Sequence, residues 1–238
     1  MVSYPLDRAV WSCLTTRQRH LALGDDRALR LHPAYGIFAA TADDSPGSLA
    51  ALARLNPPEG GLALLQVGTP RLPDGVGVRR TAAGVQMVAS ALRGGAAAKA
   101  PVESLGEADA PAMLELARLT EPGPFYERTH QLGDFVGVKQ DGRLVAMAGE
   151  RMKPEGFTEV SGVCTHPDHR GRGYAGALMG VVADRILARG ETPFLHAYAD
   201  NASAIALYES LGFTFRTGVT MTVLDGSNGP IADAAPGR

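Results

Sequence analysis

The spacing of apolar residues predicts alternating strands and helices along the chain. Short apolar or alternating runs, which are typical of strands, occupy 134–139, 143–153, 157–165, 193–199 and 219–224. Helices are predicted, from capping residues or from an apolar face, over 109–119, 173–189 and 202–211. The first two strands are joined by Asp141-Gly142, a typical hairpin turn. A hairpin followed by strand, helix, strand and helix predicts an α/β fold of the α+β kind, with a mixed sheet covered by helices.

The first hundred residues predict a smaller mixed α/β region. Helices are expected over 7–16 and 45–55, and strands over 28–31, 35–40, 61–67 and 85–89. Ser45-Pro46 marks a helix start, because serine caps a helix and proline suits its first turn. We find no catalytic motif in this half, and we interpret Gly75-Val76-Gly77 as a turn because no helix pattern follows it.

A run of small residues separates the two regions, with the sequence Arg93-Gly94-Gly95-Ala96-Ala97-Ala98-Lys99-Ala100-Pro101. A double glycine, alanines and a proline are typical of a linker. We therefore predict a mixed α/β domain over 1–95, a linker over 96–104, a second domain over 105–225 and a flexible tail over 226–238. The tail prediction depends on its richness in Gly, Pro, Ala and Asp.

Composition and charge narrow the function classes. The 238 residues are 45% hydrophobic and 20% charged, with a net charge of -2, as in a soluble globular protein. Residues 101–238 carry 12 Lys and Arg against 18 Asp and Glu, which disfavours a nucleic-acid partner there and favours a cationic substrate. The sequence has neither an apolar run of membrane-spanning length nor a signal-peptide pattern at its start, so we expect a cytoplasmic protein without a membrane partner.

The junction between the strand 157–165 and the helix 173–189 contains candidate chemistry, with the sequence His166-Pro167-Asp168-His169-Arg170-Gly171-Arg172-Gly173-Tyr174-Ala175. Free N–H groups and the helix dipole favour an anion at a helix start, the glycines allow close approach, and the arginines add charge. Pro167 has no N–H for a neighbouring strand, so we expect the strand to splay and leave a cleft. His166 and His169 have no third ligand at a suitable spacing, and no metal is predicted.

By itself this loop is a weak signal, since a helix start after a turn is the plain alternative. A second motif follows the strand 193–199, with the sequence Asn201-Ala202-Ser203-Ala204-Ile205-Ala206-Leu207-Tyr208-Glu209-Ser210-Leu211-Gly212-Phe213. Asn201 and Tyr208 lie two helical turns apart and share one face. The two motifs, in this order and context, resemble the GNAT superfamily of N-acetyltransferases over about residues 105–224.

The resemblance implies a GNAT acyltransferase fold, acetyl-CoA as co-substrate, no metal, and direct attack of an amine on the thioester. Tyr208 would protonate the leaving thiolate, and Val163 and Thr165 would pair with the pantetheine arm through their backbones. Coenzyme binding is thereby assigned to Val163, Cys164, Thr165, Arg170, Gly171, Arg172, Gly173, Tyr174, Ala175, Gly176 and Asn201. Cys164 itself is expected to be a small core residue rather than a nucleophile.

Three routes stay open for the proton of the attacking amine. Glu159 shares a strand face with Ser161, Val163 and Thr165 if the strand is regular. His196 stands five residues before the asparagine, where some protein N-terminal acetyltransferases of the superfamily carry a glutamate, and imidazole has a suitable pKa for a base. A chain of water molecules is the third route. In the alternative interpretation, Glu159 is a solvated strand residue and His196 is a core histidine, and neither has a role in the reaction.

Two questions about function also stay open. A non-catalytic acyl-CoA-binding regulatory module is the alternative to an enzyme, and the retained Tyr208 favours the enzyme. The acceptor is expected to be an amine of a small molecule or a peptide, and a homodimer is compatible with the sequence. The N-terminal half has the size and pattern of a degenerate GNAT-like half that lacks the pyrophosphate loop.

Overall fold

The computed structural model describes residues 4–93 and 101–226. The predicted linker over 96–104 lies partly outside these residues, and the predicted tail over 226–238 lies outside them except for its first residue. No helix within the two described ranges is long and apolar enough to cross a membrane.

The described residues form five α-helices and eleven strands. The helices are α1 (Ala9–Thr15), α2 (Pro46–Leu55), α3 (Ala110–Thr120), α4 (Tyr174–Ala188) and α5 (Ala202–Leu211). The strands of the first part are β1 (Ala22–Gly24), β2 (Ala28–Leu31), β3 (Ala39–Thr41), β4 (Ala63–Gln66) and β5 (Val78–Val88). Those of the second part are β6 (Glu103–Leu105), β7 (Phe135–Gln140), β8 (Arg143–Glu150), β9 (Phe157–Thr165), β10 (Thr192–Tyr198) and β11 (Thr214–Leu224).

The packing divides these elements into two compact units. Among the described residues, one unit is drawn from 4–32, 37–83 and 218–226, and the other from 33–36, 84–93 and 101–217. Both β5 and β11 begin in one unit and end in the other. The division into 1–95 and 105–225 stays a prediction, while each unit of the structure is assembled from separate segments of the chain.

The first unit contains a small antiparallel sheet and two helices. Its strands pair in the order β1-β2-β3, and its part of β11 pairs with β4 from Ala63–Val223 to Gln66–Thr220. The helix α2 begins as predicted, because Ser45 Oγ accepts a hydrogen bond from the Ser48 amide. Its buried leucine Leu52 packs in a cluster with residues of β2, β3 and β4.

The second unit contains a mixed sheet with the strand order β11-β5-β10-β9-β8-β7-β6. Alternation along β7 sends Val136 into a cluster with α4, whereas Phe135 packs with α3. Helices therefore cover both faces of the sheet. Asp141 and Gly142 have φ angles of 50° and 78°, which confirms the predicted tight turn between β7 and β8. The predicted mixed α/β fold is confirmed.

The parallel strands β9 and β10 separate partway along their length, and we call this separation the fork. Their backbone pairing runs from Phe157–Thr192 to Glu159–Phe194, although both strands continue beyond it. On its other side β9 has a bulge between Ser161 and Cys164 in its pairing with β8. Gly162, at the bulge, has a φ angle of 63°, which a side chain rarely tolerates.

The structure of β9 corrects two expectations from the sequence. Pro167 was expected to splay the strand, but it lies beyond β9 in a short 3-10 helix, and pairing has already ended at Glu159. The strand was expected to keep its alternation from Glu159 to Thr165, but one extra residue at the bulge breaks that alternation. The two-residue alternation of a regular strand therefore does not show which of these side chains share a face.

Candidate active site

A cavity of about 380 Å³ lies where the end of β9 meets the start of α4 and one face of α5. Its lining comprises Thr120, Pro122, Val163, Cys164, Thr165, His169, Arg170, Gly171, Arg172, Gly173, Tyr174, Ala175, Gly176, Asn201, Ala204, Leu207 and Tyr208. The cavity therefore combines a strand segment, a helix start and a tyrosine.

All eleven residues assigned to coenzyme binding lie in this lining, together with Tyr208. Glu159 and His196 are not part of it, and they lie in a neighbouring buried network. Ala204 and Leu207 could have been predicted, because they lie three and six positions after Asn201 on the same helix. Thr120 ends α3 and Pro122 follows it; they had no local signal, since only the tertiary fold brings them to the cavity.

The loop before α4 exposes backbone N–H groups to the cavity. The first amide hydrogen bond of the helix runs from Ala177 N to Gly173 O at 3.2 Å, so the amides just before it have no acceptor within the helix. Gly171 and Gly173 have φ angles of 74° and 80°. A Cβ at either position would meet no atom within 4 Å, so backbone conformation rather than space requires glycine here. This geometry suits a bound anion.

The two predicted residues of α5 lie in the cavity wall in different ways. Asn201 caps the helix, with its Oδ1 accepting from the Ala204 amide at 3.2 Å, which leaves the side-chain NH2 as a donor. Tyr208 is half-buried, and its hydroxyl has no hydrogen-bond partner within residues 4–93 and 101–226. Burial raises the pKa of Tyr208, so its hydroxyl keeps its proton at neutral pH.

Cys164 lines the cavity as a weak nucleophile. Burial raises the pKa of its thiol to about 11, although a hydrogen bond with the Thr120 side chain opposes the shift. Its side chain packs in the cluster beneath α3 with Phe135 and Met147. Within residues 4–93 and 101–226, no group of three His, Cys, Asp or Glu side chains is arranged so that it could hold a metal ion.

Glu159 is fully buried and bonds two side chains, and its Oε2 also accepts from the Met152 amide at 3.3 Å. Both of its oxygens accept from the Arg151 guanidinium at 2.8 Å, and Oε1 lies 2.7 Å from His196 Nδ1. Burial alone would raise the pKa of Glu159, but the charge and hydrogen bonds of Arg151, together with His196, outweigh it and lower the pKa to about 2. Glu159 is therefore a buried, paired carboxylate.

His196 is held on its other side by residues that the sequence did not single out. Its Nε2 lies 3.0 Å from Gln86 Nε2, and Gln86 Oε1 accepts from Arg216 Nη1 at 2.7 Å. Gln86 is fully buried opposite His196 in the register of β5 and β10. No local sequence pattern marks Gln86 or Arg216, because only strand pairing brings them to the histidine.

Known proteins share both the sequence and the fold of this chain. The FR47-like protein family matches residues 135–221. The ribosomal protein bS18-alanine N-acetyltransferase of Escherichia coli strain K12 is 31% identical over 122 residues, which are 49% of this chain and 82% of that protein. A crystal structure described as an acetyltransferase of the GNAT family, from Novosphingobium aromaticivorans, is 46% identical with a TM-score of 0.87 and covers 94% of this chain and 99% of its own. The chain belongs to the GNAT family of acetyltransferases.

A more distant GNAT structure extends the likeness in fold alone. The GCN5-related N-acetyltransferase from Kribbella flavida is 19% identical with a TM-score of 0.68, and it covers 98% of this chain and 99% of its own. These findings confirm the resemblance inferred from the two motifs, the GNAT fold and the prediction of an acyltransferase enzyme. Enzymes of the GNAT fold use acetyl-CoA as co-substrate.

Proposed function

We propose that this GNAT enzyme transfers the acetyl group of acetyl-CoA to an amine of a small molecule or a peptide. The observation that carries the proposal is the single cavity that gathers all eleven predicted coenzyme residues and Tyr208. The E. coli relative acts, by its name, on an alanine of ribosomal protein bS18, which supports an amine acceptor here. The identity of the acceptor, a homodimer and a cytoplasmic location stay predictions.

The chain's own groups fit a ligand with a pyrophosphate and a long polar arm. The loop 170–176 offers backbone N–H groups and two arginines to the pyrophosphate, and Gly171 and Gly173 leave open space above them. Beyond the fork, Val163 and Thr165 have no pairing with β10, so their backbone groups on that side can bind the pantetheine arm. Asn201 adds a side-chain donor beside it.

The thioester supplies the activated acyl group, and the residues of the cavity position it for direct transfer. The amine nitrogen forms a bond to the carbonyl carbon, and the carbon–sulfur bond breaks. A backbone N–H beside the bulge of β9 stabilises the charge that develops on the carbonyl oxygen. Tyr208 donates its hydroxyl proton to the departing thiolate, because it is protonated and lies in the cavity wall.

The amine loses its proton to water in this proposal. Two sequence candidates for the base, Glu159 and His196, are occupied by each other and by Arg151 and Gln86. A carboxylate whose pKa lies at about 2 is also a weak base at neutral pH. These contacts support the water chain among the three routes that the sequence leaves open.

Acetyl-CoA is expected to stabilise the protein in thermal unfolding. At a ligand concentration of about 100 times Kd the linkage adds about 2.7 kcal/mol, which corresponds to a rise in Tm of roughly 5–10 °C for a chain of this size. Adenosine and acetate at the same concentration are the controls. If Tm does not rise at millimolar acetyl-CoA, both an enzyme and a binding module are contradicted. A rise in Tm without thiol release across a panel of amines and peptides would favour the binding module.

Replacing Gly173 with alanine is expected to weaken acetyl-CoA binding by roughly 5- to 30-fold in Kd. Alanine at a φ of 80° costs about 1–2 kcal/mol, and a loop that relaxes away from this conformation must return to it on binding. Calorimetry with acetyl-CoA measures the effect. Gly180 inside α4 is the matched control, since a Cβ there meets no atom within 4 Å. Gly180→Ala is expected to leave the Kd for acetyl-CoA unchanged. Equal Kd values for the two variants would contradict the role of the loop.

A further inference from the structure

Five polar side chains form a continuous row across the sheet of the second unit. Each comes from one of five neighbouring strands or from the residue directly after it, namely Arg216 of β11, Gln86 of β5, His196 of β10, Glu159 of β9 and Arg151 after β8. Their successive contacts are 2.7, 3.0, 2.7 and 2.8 Å. We call this set the polar row.

The polar row crosses the fork at its base. Backbone pairing between β9 and β10 ends at Glu159 and Phe194, and His196 is two residues further along β10. The bond between Glu159 Oε1 and His196 Nδ1 therefore joins the two strands at the point where backbone hydrogen bonds stop. This hydrogen bond thus connects the two strands beyond the end of their backbone pairing.

The donors and acceptors of the polar row can be assigned from its ends. A guanidinium only donates, so Arg216 Nη1 requires Gln86 Oε1 as its acceptor and turns the amide NH2 toward His196. His196 Nε2 must then accept from that NH2, and the ring proton lies on Nδ1, which donates to Glu159. The groups that face His196 are thus Glu159, Gln86 and, through them, Arg151 and Arg216, with the Phe194 ring edge-to-face at 5.6 Å.

We propose that the polar row is a positioning unit, in which Gln86 fixes His196 as the neutral Nδ1–H tautomer and the Glu159–His196 bond sets the opening of the coenzyme fork. The imidazole has one lone pair in this state, and Gln86 occupies it, so His196 does not take the amine proton. Gln86 and Arg216 are positioning residues that act through His196. This inference rests on the proposed function and refines the route of the amine proton in it.

The tautomer of His196 can be measured without any assay of activity. Long-range ¹H–¹⁵N spectra of the folded full-length protein at neutral pH distinguish protonated from unprotonated ring nitrogens, and the signals of His196 are assigned by their loss in His196→Asn. A protonated Nδ1 beside an unprotonated Nε2 is the expected result. A protonated Nε2, or two protonated nitrogens, would overturn the proposal.

Two substitutions at Gln86 test the origin of that tautomer. Gln86→Glu places an acceptor opposite Nε2, so both ring nitrogens of His196 are expected to become protonated. Gln86→Leu removes the donor, so a mixture of tautomers is expected. If the ¹⁵N signals of both variants match those of the wild type, Gln86 does not set the tautomer and the assignment is wrong.

Kinetics of His196→Asn separate positioning from proton transfer. Asparagine is too short to bond both Glu159 and Gln86 as the imidazole does, so this link across the fork is lost. We expect the KM for acetyl-CoA to rise roughly tenfold, kcat to change less, and the acidic limb of the pH profile of kcat to remain. If His196 were the general base, its replacement would instead lower kcat by roughly 10²- to 10⁴-fold and remove that limb. Failure of the proposed function is distinguishable, because the wild type itself would then neither bind acetyl-CoA nor release thiol.

Discussion

Tyr208→Phe lowers kcat for thiol release by roughly 10²- to 10⁴-fold, the range of a lost general acid. The hydroxyl lies in the cavity wall without a partner among the described residues, and burial raises the pKa of Tyr208 so that it reaches the thiolate protonated. Phenylalanine keeps the packing of the ring against the cluster beneath α4. The change therefore removes a proton donor and little else.

Affinity for acetyl-CoA separates this role from a structural one. We expect the Kd of Tyr208→Phe, measured by calorimetry, to stay within about twofold of the wild type, because the interaction forms in the transition state. Tyr4→Phe is the matched control, since Tyr4 is exposed and is not part of the cavity lining. Wild-type turnover in Tyr208→Phe would exclude the tyrosine as the acid.

Arg151→Met destabilises the protein by about 3–5 kcal/mol, the cost of leaving a buried charge without its partner. The Glu159 side chain is 1% exposed, and both of its oxygens accept hydrogen bonds from the Arg151 guanidinium. Methionine retains a long apolar side chain, so the loss reports the charge rather than a cavity. Denaturant unfolding followed by fluorescence and circular dichroism measures the change.

The acid limb of the stability curve provides a second measurement on the same pair. The pKa of Glu159 lies at about 2 in the folded protein against its ordinary value of 4.5, so its stabilisation is complete above pH 4.5 and is lost as pH falls toward 2. The expected loss in the wild type is about 3 kcal/mol. In Arg151→Met the folded pKa rises, and this part of the acid dependence should shrink or reverse.

A surface arginine is the control for the stability prediction. Arg185 bonds Ser104 Oγ at 3.3 Å in an exposed position, so Arg185→Met is expected to cost less than about 1 kcal/mol. An equal loss of unfolding free energy in the two variants would contradict the larger contribution expected of the buried Arg151–Glu159 pair. The comparison also tests the polar row, because Arg151 is one of its two ends.

Local signals in the sequence were sufficient for several elements and for the glycine-containing loop before α4. β2, β9 and α5 have the predicted bounds, and α2 begins after its predicted cap at Ser45. Capping side chains, turn glycines and apolar periodicity act within one or two helical turns, so they can be seen without the fold. Other bounds could not be predicted: β5 extends back to Val78 through exposed residues that show no apolar alternation.

The loop from Arg170 to Gly173 and the pair Asn201 and Tyr208 were determined by the sequence itself, because each is a local motif whose residues share a helix start or a helix face. The fork and the polar row were decided only by the tertiary structure. The pairing of β9 with β10 ends at Glu159 and Phe194, and the register of β5 and β10 places Gln86 opposite His196, 110 residues away. Strand pairing is non-local, so no window of sequence contains it.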